Sequence, residues 1–191
     1  MSTLKVDTIL KRSGTGTITL GQSGDTIALG SGASSTGFGE VNTPAFSVQL
    51  GYNESQNVSE ATNTKVQLDS EYFDTDNAFD ASTNYRFTVP SGKAGKYFFT
   101  WSIYLYQPTV SNMRIVESML YLNGSRYIGG SFNGRDIYFR TATYGNSAFL
   151  DLSVGDYVEL YGAVDTVNNS SQASFYGGDR ATFLTGYRVT E

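Results

Sequence analysis

The sequence predicts an all-β fold, and three observations carry that prediction. Apolar residues recur with a period of two, most plainly at Tyr97, Phe99, Trp101, Ile103 and Leu105, which is strand spacing and not the helical repeat of about 3.6. Glycine is abundant, at 21 residues against 3 Pro, and glycine turns punctuate the chain at short intervals. Side chains that favour strands are plentiful, with 14 Tyr and 12 Phe, and no stretch sustains a helical repeat. A chain of 191 residues fits one core with a small extra module.

Residues 1–43 differ from the rest. They hold a single aromatic, Phe38, among many Gly, Ser and Thr. A short repeat lies within them: TITLG at 17–21 returns as TIALG at 26–30, each unit a minimal strand closed by a glycine turn. Ile18, Leu20, Ile27 and Leu29 are too few to bury a core, because ~25 cal/mol per Å2 of apolar area does not offset the ordering entropy of so many residues. The segment is expected to order only by pairing with copies of itself or with a host structure. Composition alone equally fits a flexible polar tail. Residues 30–42 read as a linker or short stalk.

The second module is expected to span residues 44–191. Residues 45–50 alternate, with Phe46, Val48 and Leu50 inward; 51–63 read as a polar loop, 65–68 as a short strand and 70–82 as an acidic loop. Tyr85, Phe87 and Val89 alternate before the break at 90–92. Residues 97–106 then form a long strand, with Phe98, Thr100, Ser102, Tyr104 and Tyr106 on its second face. That face is mixed and aromatic, which suits contact with another sheet edge or subunit. After a loop at 108–112, residues 113–123 alternate as a strand although Met, Glu and Leu favour helix, and Asn123-Gly124 signals a hairpin. The chain returns over 126–130. Residues 137–152 read as one long strand or two, broken near Gly145-Asn146. Residues 153–156 turn into a strand at 157–164, and 173–190 close the sheet with an interruption at 177–179. The count is about ten strands, enough for two packed sheets.

Composition also excludes functions. There is no Cys and no His, which removes disulfides, thiolate and imidazole metal sites, and Ser-His-Asp or Cys-His catalysis. A net charge of −5 argues against nucleic-acid binding. The longest apolar runs fall short of the ~20 residues that span a bilayer, and the opening residues have no signal-peptide pattern, so neither membrane insertion nor secretion is expected. The carboxylate cluster Asp74, Asp76 and Asp80 puts Ala78 and Phe79 where a calcium loop needs a ligand and a Gly, so it reads as a solvated turn. No metal, cofactor or catalytic residue is assigned.

Several motifs resemble the C1q/TNF-like jelly-roll domains. Residues 95–101 (GKYFFTW) resemble the family's G-x-Y-x-F-x-aromatic signature, residues 79–87 (FDASTNYRF) its aromatic-D-P-S-T-x-x-F turn, residues 152–160 (LSVGDYVEL) its L-x-x-G-D-x-V-x-L strand, and residues 183–187 (FLTGY) its closing F-x-G strand. Leu68, Asp74, Phe79 and Phe87 fall near the family's spacing, with Leu68 in place of an aromatic and Trp101 ending the signature. The likeness covers residues 44–190. It implies an antiparallel ten-strand jelly-roll sandwich that assembles as a homotrimer around aromatic-rich faces. Separately, residues 2–9, 14–20 and 22–27 resemble the opening of tail-fibre and other virion proteins of marine and cyanobacterial phages. That likeness implies an attachment segment.

The functional expectation is a bacteriophage virion structural protein without enzymatic activity. A trimeric tail-fibre or tail-associated knob would dock to other virion proteins by its arm, through Leu4, Val6, Ile9, Ile18, Leu20, Ile27 and Leu29. Candidate trimer-interface residues are Phe98, Tyr104, Tyr106, Tyr157 and Tyr161. Candidate contacts to a host-surface glycan or protein are Tyr52, Tyr127, Tyr138, Tyr144 and Tyr176, since Tyr gives rigid, amphipathic contact at low entropy cost. The alternative is a capsid decoration protein that stabilises the phage head. A glycan-cleaving enzyme ranks below both, because no pair of carboxylates has the apolar setting that would raise one pKa.

Overall fold

The computed structural model describes residues 43–167 and 173–190, with Gln22 and Ser31 besides. The chain divides into two units between Glu40 and Val41. The described residues lie almost wholly in the second unit, and the seven proposed docking residues of the arm fall outside them.

The second unit is a sandwich of two antiparallel sheets. In chain order its strands are β1 Ala45–Gln49, β2 Ser55–Asn57, β3 Thr64–Lys65, β4 Ser70–Asp74, β5 Phe79–Asp80, β6 Arg86–Thr88, β7 Gly95–Tyr106, β8 Met113–Leu122, β9 Ser125–Asn133, β10 Thr141–Leu152, β11 Tyr157–Thr166, β12 Ser174–Tyr176 and β13 Phe183–Thr190. The front sheet runs β2-β12-β7-β13-β1-β4, with β10 on the other edge of β7; the back sheet runs β5-β6-β11-β8-β9, with β3 also on β11. β12 and β13 share one edge of β7, β13 along its first half and β12 at its last two residues. β10 and β9 therefore end their sheets on the same side of the sandwich.

The long strands largely follow the sequence reading, although the strand expected from Ile137 begins only at Thr141 because Ile137 closes a turn onto Gly134, and most differences lie in the short ones. Thirteen strands stand among the described residues, because β2, β4 and β5 form in stretches that composition marks as polar loops. Each is pinned by pairing with a strong neighbour: β2 on β12, β4 on β1 and β5 on β6. The strand expected over 65–68 ends at Lys65, although Val66 and Leu68 are fully buried. β10 is not broken at Gly145-Asn146. It pairs with β7 without interruption from Thr141 to Leu152, and a Cβ at Gly145 would stand 2.4 Å from the Trp101 carbonyl oxygen. That glycine permits close packing and does not end the strand.

The core fills from both sheets. From β7, Tyr97, Phe99, Trp101, Ile103 and Leu105 are all at most 1% exposed. Phe46 stacks on Phe87 with ring centroids 4.8 Å apart and meets Phe79 at 5.4 Å, which ties β1 across to β6 and β5. Tyr97 donates its hydroxyl to the Lys93 carbonyl, and burial pushes its pKa up to about 12. The hairpin between β8 and β9 turns at Asn123 and Gly124, both with positive φ, at 52° and 77°, the backbone that a two-residue Asn-Gly turn requires.

The sandwich has two distinct ends. At one, Lys93 donates from Nζ to Thr43 Oγ1, and the turns at 90–94, 123–124 and 153–156 gather there. At the other, Gln107 N–H bonds the Arg140 carbonyl, Val167 N–H the Asn112 carbonyl and Gly177 N–H the Glu54 carbonyl, joining the loops that precede and follow those strands.

Candidate interaction surface

The two outer faces of the sandwich differ in chemistry. On the front sheet, alternation sends Phe98, Thr100, Ser102, Tyr104 and Tyr106 outward from β7. The register sets Phe149 beside Phe98 and Phe98 beside Tyr187. These three form an aromatic row, with the Phe98 ring 5.0 Å from Phe149 and 5.6 Å from Tyr187. Phe149 is 66% exposed and Tyr187 40%. Towards the other end of the face, Tyr176 sits 5.9 Å from Tyr104 and 6.3 Å from Tyr106. Between the two groups run the hydroxyls of Thr100, Ser147, Thr185 and Ser47, the last two bonded at 2.9 Å. Charge stands at the edges of this region, where Lys96 and Asp151 pair at 3.5 Å and Arg180 lies 4.5 Å from the Tyr72 ring. A broad, uncharged, aromatic sheet face suits burial against protein.

The back sheet is covered by its own polar groups. Tyr161 stacks on Tyr121 at 3.9 Å, and Lys65 lies over its ring at 6.0 Å. Lys65 also pairs at 2.5 Å with Glu159, which is only 3% exposed. Burial pushes the Tyr161 hydroxyl pKa up, and the Glu159 carboxylate adds to the shift. Tyr157 has the Arg86 guanidinium 4.2 Å from its ring. Arg114 grips both oxygens of Asp165 at 2.7 and 2.8 Å.

The proposed trimer residues therefore separate. Phe98, Tyr104 and Tyr106 share the front face. Tyr157 and Tyr161 lie on the opposite face, already engaged by Arg86, Tyr121 and Lys65. Strand alternation gives the side of a strand on which a residue lies but not the sheet to which the strand belongs. Phe149, Tyr187, Tyr72 and Phe73 are the aromatics that sequence reasoning missed. Pairing of β10 and β13 against β7 was the signal that would have found the first two.

The proposed receptor residues also scatter. Tyr52 and Tyr138 are 67% and 47% exposed at the end away from Thr43. Tyr176 is at the same end, but its hydroxyl bonds Asn53 Oδ1 at 3.1 Å and its ring belongs to the front-face cluster. Tyr127 is 55% exposed on β9, near the Asn123-Gly124 turn. Tyr144 differs from Tyr52, Tyr127 and Tyr138 in being half-buried. Its ring packs against the core, and its hydroxyl lies where a Cβ on Gly130 would stand, 2.4 Å away. It closes the gap between β10 and β9.

The acidic turn folds on itself. Asp74 accepts the N–H groups of Asp76 and Phe79, at 3.3 and 2.7 Å. Asp80 accepts those of Ser82, Thr83 and Asn84 and the Asn84 side-chain amide. These donors, led by the Thr83 and Ser82 amides, hold the Asp80 carboxyl far below the usual carboxylate range.

No family model and no curated protein matches the chain. Among solved structures, the globular domain of zebrafish complement 1qA protein is similar at 17% identity with a TM-score of 0.53, over 78% of this chain and 99% of that one. The Eiger TNF of S. frugiperda is similar at 11% identity with a TM-score of 0.54, over 78% of this chain and 95% of that one. These likenesses establish a C1q/TNF-like jelly-roll fold.

Proposed function

We propose that the chain is a bacteriophage virion protein, a trimeric tail-fibre or tail-associated knob that docks by residues 1–43 and binds a host-surface receptor. The observation that carries the assembly half is the uncharged front face with its Phe98, Phe149 and Tyr187 row. A sheet face of this kind, left in water, is an association site. The C1q/TNF-like fold supports a threefold arrangement, and the ion-paired back sheet supports a solvent-facing exterior.

The virion half rests on the wording of residues 2–27, which resemble phage attachment segments. In this reading the protein is made in the cytoplasm of an infected bacterium and carried on the particle. Tyr52 and Tyr138 lie on the loops at the end of the sandwich away from Lys93, and in this reading those loops meet the receptor. The structural engagement of Glu159, Asp165 and Asp80 fits a binding role and not a hydrolytic one.

Antibody raised to the knob and viewed on intact virions by electron microscopy tests the proposal. Label at the tail supports a receptor-binding role; label over the head makes the protein a capsid decoration protein instead. Deleting residues 1–43 is expected to leave a folded knob that no longer joins the particle.

A further inference from the structure

We infer that the outer face of the back sheet holds a binding site for one neutral pyranose unit of a glycan, in a depression bounded by Glu117, Asp165 and Asn63. This site rests on the receptor reading above and gives it a ligand class.

The site is built on the β8–β11 ladder. Asp165 pairs with Ile115 and Ala163 with Glu117, so strand alternation puts their side chains together on the outer face while Val116 and Val164 fill the core. Ala163 is the small member and leaves a depression where a larger side chain would stand. On the other edge of β11, Ala61 donates its N–H to the Val164 carbonyl at 2.9 Å. Asn63 then reaches back across β11 and donates its side-chain amide to the Tyr121 hydroxyl on β8 at 2.8 Å. These residues of β8, β11 and the 61–63 segment line a cavity of about 160 Å3.

Size limits the occupant. A cavity of ~150 Å3 holds benzene, so this one takes a single six-membered ring and not a length of peptide.

Charge and hydrogen bonding then select the ring. Asp165 holds Arg114 through both oxygens, at 2.7 and 2.8 Å, and Glu117 holds Arg126 at 3.2 Å. Each carboxylate is thus matched by a guanidinium, and the site has no net charge to draw a free cation or anion. The Asp165 and Glu117 side chains stay 29% and 31% exposed, within reach of a ligand. An ionised carboxylate offers about four lone-pair sites, and the arginines use only part of them. What remains is a set of fixed acceptors, with the Asn63 amide beside them, matched to a ligand that carries several adjacent O–H donors. Ala163 and Ile115 supply an apolar patch for the C–H face of the same ring. A neutral pyranose has both features.

Saturation-transfer NMR on the purified full chain tests the site with free glucose, galactose, mannose and N-acetylglucosamine, beside cationic glucosamine and anionic glucuronate. At least one neutral sugar is expected to bind, and more tightly than either charged one. Ala163→Phe, which fills the depression, and Glu117→Ala, which removes an acceptor, should each weaken that binding by roughly tenfold or more. Circular dichroism checks that both variants fold. No signal from any neutral sugar, tighter binding of a charged one, or undiminished binding in either folded variant overturns the inference. The receptor reading fails separately. Antibody label at the tail with no sugar bound removes this site and keeps the receptor role; sugar bound in the depression with label over the head keeps the site and removes that role.

Discussion

Trp101 on β7 donates its indole N–H to Ser118 Oγ on β8 at 3.1 Å, a hydrogen bond that crosses the core from one sheet to the other. Both residues are buried, at 1% and 0% exposure. Ser118 is thus a polar residue between apolar Val116 and Leu120 on the inner face of β8 because the largest core side chain needs an acceptor there. Ser118→Ala is expected to leave the indole unpaired and lower unfolding stability by about 1–3 kcal/mol. Urea denaturation should show the midpoint fall with an unchanged slope.

Gly162 on β11 faces inward beneath Phe175 and Ile103. A Cβ there would stand 2.6 Å from Phe175 Cε1 and 2.8 Å from Ile103 Cδ1. Gly162→Ala therefore overpacks the junction between the sheets and should cost about 1–3 kcal/mol, read as a lowered thermal midpoint. An Ala at Gly155, where the backbone has positive φ but nothing lies near, should be harmful through the backbone alone.

The Lys65–Glu159 pair on the back sheet is one-sided in its burial. Lys65 remains about a third exposed while the Glu159 side chain is 4% exposed. Removing the lysine strands a carboxylate away from water. Lys65→Met should destabilise by about 1–3 kcal/mol, reduced from the fully buried case because water reaches the lysine. Lys65→Met combined with Glu159→Gln should recover part of that loss, and a double-mutant cycle in urea measures the coupling.

The turn closed by Asp80 gives a pH dependence of definite sign. Its carboxyl is held below its unfolded value of ~3.9. The folded state therefore gains stability from the ionised form above that value, and loses it as pH falls through the folded pKa. Asp80→Ala should lower the thermal midpoint at neutral pH, and the gap to wild type should narrow below pH ~4. A gap that widens on acidification would contradict this assignment.

Much of the fold was legible because strand alternation and burial agree. Every inward residue expected on β7 is buried, and Phe46, Val48 and Leu50 follow suit. The hairpin at Asn123-Gly124 was legible because its chemistry demands one backbone shape. The short strands β2, β4 and β5 were not, since their residues are polar and only a neighbour's ladder makes them strands. The interaction surface was half legible for a related reason. Phe98 announced an aromatic face, but Phe149 joins it only through the β7–β10 register. Tyr72 is not legible in the sequence because a bulge leaves it without a ladder partner on β1, where Ser47 pairs with Phe73 and Val48 with Glu71. The sequence leaves open whether a strand ends beside Tyr144 at Gly145; in the unbroken β10 the Tyr144 ring packs against the core.

If the front sheet face joins subunits in a threefold assembly, light scattering on the purified full chain at micromolar concentration should give a mass three times that of the 20.8 kDa chain. That mass should fall towards one chain when Phe149→Asp and Tyr187→Asp place charge in the aromatic row. A wild-type mass of a single chain, with the fold intact by circular dichroism, would rule the assembly out.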